Sequence, residues 1–400
     1  MTAPTTDRVT GVPLLDLKRV SEADKVDFQA SFARVLESGC FVLGPEVEAF
    51  ERACAEYIGV SHALGVSSGT DALLLALMAL DIGPGDEVIC PTFTFFATAG
   101  TVWRLGAKPV FVDVHPCCYN PDPAAIAAKI TDKTRAIMPV HLYGQCADMT
   151  AIGSLAVERG IPVVEDAAQA IGSSCAAGRA GSMGTLGCIS FYPTKNLSGF
   201  GDGGLITTDD TALHGRLSSL RVHGWGPKYY HKQVGGNFRM DAIQGALLRH
   251  RLPRLDHISN RRRENAAHYT QALTEAGVGA VLPSVCGTSG GVIDLEGKLG
   301  LPAQCTSGHT FNQFTIRVPD HIGRDALREA LTAANIGTEI YYPVCLHEQE
   351  CFAELGGGAF PVAEAAARSC LSLPIFPELT VAELDYVVNA VVAACRAKGG

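Results

Sequence analysis

Residues 136–166 read AIMPVHLYGQCADMTAIGSLAVERGIPVVED, and this stretch decides the fold. Ala136 to His141 and Ile161 to Glu165 are short apolar runs with strand character, and Met149 to Arg159 between them has the length and pattern of a helix. Strands joined through a helix pair in parallel, because the connection must cross a face of the sheet. The stretch therefore predicts one unit of a mostly parallel α/β sheet.

The same alternation of strands and helices extends from Ala63 to Thr208. Further strands are predicted at Glu87–Cys90, Pro109–Val114, Gly187–Tyr192 and Leu205–Thr208, and further helices at Ala72–Leu80 and Pro123–Ile130. Helices on both faces of such a sheet leave the carboxyl ends of the strands as the place for a binding site. We expect a large domain at residues 1–260, which includes an N-terminal segment.

The pattern changes after Arg239 to long helical periodicity, and the basic run Arg261–Arg263 is expected on a solvated helix side. The Gly-rich region from about Val278 to Thr310 is not assigned. Beyond it the sequence predicts strands at Phe314–Val318 and Thr338–Tyr342 and helices at Arg324–Ala334 and Val381–Cys395. These elements predict a smaller α+β domain at residues 261–400.

Composition excludes several classes of protein. The 32 Lys and Arg against 41 Asp and Glu give a net charge of -9, which argues against a nucleic-acid-binding face. The start, Met1–Arg8, lacks the order of a signal peptide, and Pro91 interrupts the most continuous apolar stretch, Val88–Trp103. We therefore expect a cytoplasmic protein that neither binds nucleic acid nor enters a membrane.

The 14 cysteines are scattered and form no C-x-x-C motif, although Cys117 and Cys118 are adjacent. Most are expected to be reduced, buried and packed as small apolar residues. His141 at a strand end is expected to be a packed or hydrogen-bonded residue, and the ligand types from His347 to Cys351 lack metal-site spacing. We predict no metal site.

Lys195 and Asp166 are the residues that point most directly to chemistry. Lys195 leaves an apolar strand and enters a Gly-rich turn, and Asp166 lies at the carboxyl end of the buried-type strand Ile161–Glu165, directly after it. Pyridoxal phosphate needs a lysine for its Schiff base and an acid that keeps the pyridine nitrogen protonated. The two side chains supply that pair from separate strands of one predicted sheet.

Two further segments match the needs of such a cofactor. At Val66–Leu74 a strand ends, Gly69 permits close backbone approach and a helix begins, which favours a phosphate, although an ordinary capped helix has the same pattern. Pro91–Phe96 places aromatic residues just past another strand end, where one ring could stack on a flat cofactor or belong to the core. Gly199, Gly201 and Gly204 satisfy G-x-G-x-x-G but precede a strand, so we reject a dinucleotide site there.

Several collinear segments resemble the DegT/DnrJ/EryC1/StrS family of sugar aminotransferases, from about Leu14 to the C-terminus. They are Ser68–Ala72 (SGTDA), Glu165–Gln169 (EDAAQ), Ser190–Leu197 (SFYPTKNL), Gly236–Asp241 (GNFRMD) and Tyr341–Pro343 (YYP) followed by His347. The resemblance implies an α/β, fold-type-I pyridoxal phosphate enzyme with a mostly parallel central sheet. It also implies a homodimer with shared active sites.

The resemblance assigns a role to each matching residue. Lys195 would hold the internal aldimine, Asp166 would pair with the pyridinium nitrogen, and Gln169 would lie near the ring oxygen. The remaining cofactor contacts would be Phe95 stacked on the ring, Ser68, Gly69, Thr70 and Ser190 at the phosphate, and Asn237 reaching the phosphate from the partner subunit. Residues in stretches that resemble substrate-lining ones are Arg239, His309, Tyr342 and His347.

The resemblance implies amino transfer from L-glutamate to a keto-sugar linked to a nucleotide. Lysine at position 195 argues against the family's dehydratases, which carry histidine there.

Two features depart from the family pattern. The stretch from Cys286 to Ser307 is longer and more Gly-rich than the family's usual connection, and Phe311 stands where a tyrosine is common among relatives. Alternative functions are amination of a cyclic polyol ketone, sugar dehydration, or a catalytically silent regulatory protein; Lys195 with Asp166 speaks against the last.

Overall fold

A computed structural model describes residues 9–398 except residues 228, 285 and 287–292. The first eight residues, for which the sequence predicts no signal peptide, lie outside the described residues, as does part of the Gly-rich 286–307 stretch. In the described part, no helix has the length and hydropathy needed to span a bilayer.

The chain alternates helices and strands through its first half and then becomes mainly helical. The helices are α1 Leu17–Ser38, α2 Pro45–Ile58, α3 Gly69–Ala79, α4 Ala97–Arg104, α5 Pro123–Lys129, α6 Met149–Arg159, α7 Thr211–Leu220, α8 Ala242–Arg251, α9 Leu255–Glu275, α10 Arg324–Ala333, α11 Pro361–Ser369 and α12 Val381–Lys398. The strands are β1 His62–Val66, β2 Glu87–Pro91, β3 Lys108–Val112, β4 Thr134–Ile137, β5 Val164–Asp166, β6 Ser174–Cys175, β7 Gly178–Arg179, β8 Leu186–Ser190, β9 Gly204–Thr208, β10 Gly279–Val281, β11 Leu299–Leu301, β12 Phe314–Arg317 and β13 Cys370–Leu373.

The central sheet is mostly parallel, which confirms the predicted fold class. Strands pair in the orders β1-β9-β8-β5 and β3-β2-β4, and parallel bridges Ile137–Val163 and Val140–Asp166 join the two sets. The β2, β3 and β4 pairs and the β5–β8 pair are parallel, whereas β9 runs antiparallel to both of its neighbours. The parallel strands consequently end at one edge of the sheet, where β5 places Asp166 and β8 places Ser190.

In residues 136–166 the structure confirms the predicted helix, but the two strands have other bounds than predicted. Helix α6 has the predicted bounds, and Asp148 caps it by accepting a hydrogen bond from the Ala151 amide at 3.0 Å. Strand β4 ends at Ile137, before the predicted His141, because Pro139 lacks an amide proton to donate within a ladder, and β5 begins at Val164, after the predicted Ile161. The Pro139 carbonyl still accepts the Asp166 amide at 2.9 Å, which fixes the end of β5.

The C-terminal part has its own sheet, in the order β10-β11-β12-β13. The predicted strand at Thr338–Tyr342 is wrong: Glu339 alone pairs there, in a single bridge with Ser372 of β13, because the chain then turns so that Tyr341 and Tyr342 line a cavity. The predicted boundary at residues 260 and 261 falls inside α9, and the division into two domains stays a prediction.

The expectation that Arg261–Arg263 lies on a solvated side is wrong for Arg262. Arg262 is 3% exposed and donates from Nη1 to the carbonyls of Phe311, Asn312 and Ile375 at 3.1, 3.3 and 2.9 Å. Burial lowers the pKa of its guanidinium to about 10. The helical period places Arg262 on the inner face of α9, where three carbonyls without strand partners stabilise the charge.

Candidate active site

A cavity of about 610 Å³ opens at the carboxyl ends of β5 and β8. The residues that line it include the predicted cofactor residues Ser68, Gly69, Thr70, Phe95, Asp166, Gln169, Ser190 and Lys195, together with Tyr342. These residues come from five separate places along the chain. The fold therefore brings most of the predicted site together in one space.

Asp166 lies at the bottom of the cavity and is 4% exposed. Its Oδ2 accepts a hydrogen bond from the Thr98 hydroxyl at 2.7 Å, and its Oδ1 accepts the Ala168 amide at 3.2 Å. Burial raises the pKa of Asp166, whereas these two donors and the nearby Lys195 lower it. A carboxylate held in this way favours a cation placed against it within the cavity.

Lys195 follows β8 in a turn closed by its own amide, which donates to the Tyr192 carbonyl at 2.8 Å. Burial lowers the pKa of its amine from 10.5 to about 8, and the charge of Asp166 opposes that shift. A larger fraction of the amine is therefore neutral at physiological pH than for a solvated lysine. A neutral amine is the form that attacks carbonyl carbon and accepts a proton.

The first turn of α3 faces Ser190 across a narrow gap. Ser68 caps the helix by accepting the Asp71 amide at 3.0 Å, and the amides of Gly69 and Thr70 in the first turn have no intrahelical acceptor. A Cβ atom on Gly69 would lie 2.6 Å from the Cβ of Ser190. The arrangement is a cradle suited to an anion, and Ser190 leaves no room for a side chain at position 69.

Hydrogen bonds to Tyr143 and Tyr342 hold the Gln169 side chain from both ends of its amide group. Its Oε1 accepts the Tyr143 amide at 2.8 Å, and its Nε2 donates to the Tyr342 hydroxyl at 3.1 Å. Phe95 is 56% exposed at the cavity, with its ring centroid 6.1 Å from that of Tyr342. The aromatic ring and the amide thus occupy two walls of the same space.

Four predicted site residues do not line this cavity in the single chain. Asn237 is exposed and accepts a hydrogen bond from Arg239 Nε at 2.7 Å. His309 is 3% exposed and stacks on Phe311 at 3.8 Å, and burial lowers the pKa of its imidazole to about 3. His347 is also buried, where its Nδ1 lies 2.7 Å from the Thr92 hydroxyl. Packing against neighbouring side chains keeps both histidines away from the cavity.

The site contains further residues that the sequence did not predict. Thr98 contacts Asp166 from the first turn of α4, and no spacing along the sequence links positions 68 residues apart. The remaining lining residues that were not predicted include Tyr192, Thr194, Gln313 and Tyr341. Tyr192 and Thr194 precede Lys195 in the same motif, and this proximity in sequence was the available signal for them.

The sequence expectations for His141 and for the glycine motif hold. The Nε2 of His141 lies 2.8 Å from Glu165 Oε2, both side chains are fully buried, and its Nδ1 accepts the Ala147 amide at 3.1 Å. His141 is therefore a hydrogen-bonded structural residue. Gly204 begins β9 rather than a helix, so the Gly199–Gly204 turn lacks the geometry of a dinucleotide site.

Comparison with known proteins places this geometry in a family. The model of the DegT/DnrJ/EryC1/StrS aminotransferase family matches residues 22–392. The chain belongs to this family. The enzyme class and cofactor predicted from the sequence are thereby confirmed: this member of the DegT/DnrJ/EryC1/StrS family is a pyridoxal phosphate-dependent aminotransferase.

Individual relatives in the family match along nearly their whole length. A pleiotropic regulatory protein of Geobacillus stearothermophilus is 45% identical over 96% of this chain and 99% of its own. A UDP-N-acetyl-3-dehydro-α-D-glucosamine 3-aminotransferase of Acidithiobacillus ferrooxidans is 41% identical over 96% of this chain and 97% of its own. The crystal structure of S. venezuelae DesV in complex with a ketimine intermediate matches with a TM-score of 0.87 and 42% identity, covering 96% of this chain and 98% of that one.

The cavity fits the family's cofactor on the evidence of its own residues. The cradle at Gly69 suits a phosphate, and the buried Asp166 suits a protonated ring nitrogen. Lys195, with its lowered pKa, suits covalent attachment of an aldehyde. We assign these residues to cofactor binding as a proposal, together with Ser190, Gln169 and Phe95.

Gly69→Ala is expected to weaken binding of pyridoxal phosphate by roughly 10- to 100-fold. The added methyl would collide with Ser190 and remove a hydrogen bond to a charged group, which is worth about 1.5–3 kcal/mol. Titration of the apoenzyme with the cofactor measures the effect. Gly153→Ala in α6 is the matched control, because a Cβ there meets open space. Unchanged affinity in Gly69→Ala would reject the cradle.

Proposed function

We propose that this family member transfers the amino group of L-glutamate to the ketone of a nucleotide-linked sugar. The observation that carries the proposal is the meeting of Lys195 and Asp166 in one cavity that also contains the Gly69 cradle. The names of relatives such as the 3-aminotransferase at 41% identity support a sugar ketone as acceptor. Tyr341, Tyr342 and Gln313 give the cavity a wall of hydroxyl and amide groups suited to sugar hydroxyls.

Each residue of the site then has a defined task. Bound pyridoxal phosphate supplies an aldehyde for covalent attachment and an electron-withdrawing pyridinium ring. Lys195 acts as the nucleophile toward that aldehyde and, once released, moves a proton at the carbon of the amino donor. Asp166 holds the proton on the ring nitrogen, and Thr98 orients Asp166. The first turn of α3 holds the phosphate.

We further propose that the active enzyme is a homodimer in which Asn237 completes the partner's site. Asn237 lies on the surface of the single chain, outside its cavity. Large side chains on the same segment are exposed, with Tyr230 72% and Val234 90% exposed. An interface through this segment would bury that apolar surface and bring Asn237 to the partner's cradle. The cytoplasmic location predicted from the sequence stays a prediction.

The rate at which the apoenzyme captures pyridoxal phosphate is expected to rise with pH and level off above about 8, the pKa of Lys195. Only the neutral amine attacks, and at pH 7 roughly a tenth of Lys195 is neutral, against about one in three thousand for an ordinary lysine. Stopped-flow absorbance from pH 6 to pH 10 measures this rate. A rate that still rises tenfold per pH unit above pH 9 would contradict the lowered pKa.

The function is tested by absorption spectroscopy followed by product analysis. L-Glutamate is expected to remove the visible absorption of the bound cofactor, and D-glutamate is the matched control that leaves it unchanged. A keto-sugar linked to UDP or dTDP should then restore the absorption and gain an amino group, as detected by mass spectrometry. If L-glutamate has no effect, the donor is wrong. If only a cyclic polyol ketone without a nucleotide is aminated, the acceptor class is wrong.

A further inference from the structure

Four cysteine thiols meet beside the cavity, at the junction of the two sheets. Cys117 and Cys118 lie in the turn after β3, Cys286 follows β10 and Cys305 follows β11. The Sγ of Cys286 lies 3.4 Å from the Sγ of both Cys117 and Cys118, and the Sγ of Cys305 lies 3.7 Å from that of Cys117. All four sulfurs lie within 4.8 Å of one another.

These distances are those of ligands around one ion. A disulfide brings two sulfurs to about 2.05 Å, which is much shorter than any separation here. Four thiolates at about 2.3 Å from a tetrahedral Zn²⁺ ion stand about 3.8 Å apart. The core of an iron–sulfur cluster contains several metal ions and holds its thiolates farther apart than a single ion does. The geometry therefore fits a mononuclear tetrathiolate site.

The surroundings of the thiols resemble those of a closed site. Leu282 and Ala303 are buried against the cysteines, and Ile293 and Leu295 pack on the same cluster. Cys117 and Cys118 are buried and Cys286 and Cys305 are half-buried, so the apolar walls limit the access of water to the sulfurs. A soft cation bound by four thiolates suits such a pocket, because Zn²⁺ and sulfur are well matched.

Gln145 fixes the segment that carries Cys305. Its Oε1 accepts the amides of Cys305 and Thr306 at 2.6 and 3.2 Å, and its Nε2 donates to the Ala303 carbonyl at 3.2 Å. Asn120 in turn donates to the Gln145 carbonyl at 2.9 Å. Side chains that hold the backbone of a ligand in place are a regular feature of metal sites.

We propose that Cys117, Cys118, Cys286 and Cys305 bind one Zn²⁺ ion as a structural site. On binding, the thiols release their protons and four Zn–S bonds form, with no change of oxidation state. The sequence prediction of no metal site rested on the missing C-x-x-C spacing. The ligands come from three segments up to 188 residues apart, so a spacing motif could not reveal them.

The position of the site indicates what the ion would do. The ion would connect the turn after β3, which carries Cys117 and Cys118, to the Gly-rich 286–307 stretch, to which the sequence assigned no role. Cys305 precedes Gln313 on one segment, and Gln313 lines both the active-site cavity and a small cavity that touches Cys117 and Cys118. The ion would thus hold the wall that faces the acceptor substrate.

The first test is the metal content of the purified holoenzyme. About one zinc per chain is expected by inductively coupled plasma mass spectrometry after gel filtration. Cys286→Ser and Cys305→Ser replace half-buried ligands, and each is expected to weaken zinc binding by more than the roughly 10–100-fold effect of losing an outer-shell partner. Cys351→Ser is the matched control, because Cys351 is exposed and lies outside the cluster; it should keep its zinc.

Cobalt substitution of the wild-type protein gives a second measurement that does not depend on the variants folding. Co²⁺ in a tetrathiolate site shows intense ligand-field bands at longer wavelengths than pyridoxal phosphate absorbs. Those bands, and their loss when zinc is added, support the proposal. Any of three results would overturn it: protein without zinc in which Co²⁺ gives no such bands, a disulfide among the four cysteines, or iron with acid-labile sulfide.

Discussion

Lys195→Ala is expected to lose amino transfer entirely, with a fall in turnover of at least about 10⁴-fold, the upper range for one acid–base group. The substitution removes both the nucleophile and the proton carrier from the cavity. Asp166, the Gly69 cradle and Gln169 keep their own contacts, so the fold and non-covalent cofactor binding should persist. The measurement is amino transfer from L-glutamate in single-turnover and steady-state assays.

Lys195→Arg is the companion variant, because it keeps a positive charge and most of the volume. Arginine stays protonated at every relevant pH, so it cannot attack an aldehyde or accept a proton. Both variants should therefore be inactive, and an added small primary amine should partly restore the alanine variant alone. Turnover within tenfold of wild type in either variant would refute the assignment of Lys195.

The core of the site could be predicted because its two main residues lie at or just beyond the ends of neighbouring parallel strands. Residues at the carboxyl ends of adjacent parallel strands meet at one edge of the sheet, so the sequence predicts that Asp166 at the end of β5 and Lys195 beyond β8 come together. The first turn of α3 follows the same logic, since β1 belongs to the same sheet. Local sequence and sheet topology are sufficient for these contacts.

Other contacts depend on tertiary packing that local sequence does not encode. Arg262 has the composition of a solvated residue, yet the packing of α9 buries it against three carbonyls. The Thr338–Tyr342 run has strand propensity, but tertiary competition decides its structure, with Tyr342 hydrogen-bonded to Gln169. His309 illustrates the same limit, because a resemblance in sequence did not show that its ring stacks on Phe311.

The second large effect is expected from Asp166→Asn, which removes the negative charge while keeping the shape of the side chain. The amide oxygen can still accept the Thr98 hydroxyl, but its NH₂ group then faces the Ala168 amide, which needs an acceptor. A cationic ring nitrogen would then lack its buried counter-charge, and an unpaired buried charge costs about 3–5 kcal/mol. We expect turnover, cofactor affinity or both to fall by roughly 10²- to 10³-fold or more.

The pH dependence of Asp166→Asn distinguishes loss of charge from simple structural damage. Without the carboxylate the ring nitrogen must take its proton from solvent, so the loss in kcat should be smaller at low pH and larger at high pH. Damage to the fold would lower activity at every pH. Asp148→Asn is the control, since asparagine caps a helix as well as aspartate and position 148 lies at the start of α6, outside the cavity. A pH-independent loss in Asp166→Asn would show that Asp166 supports the fold rather than the protonated ring.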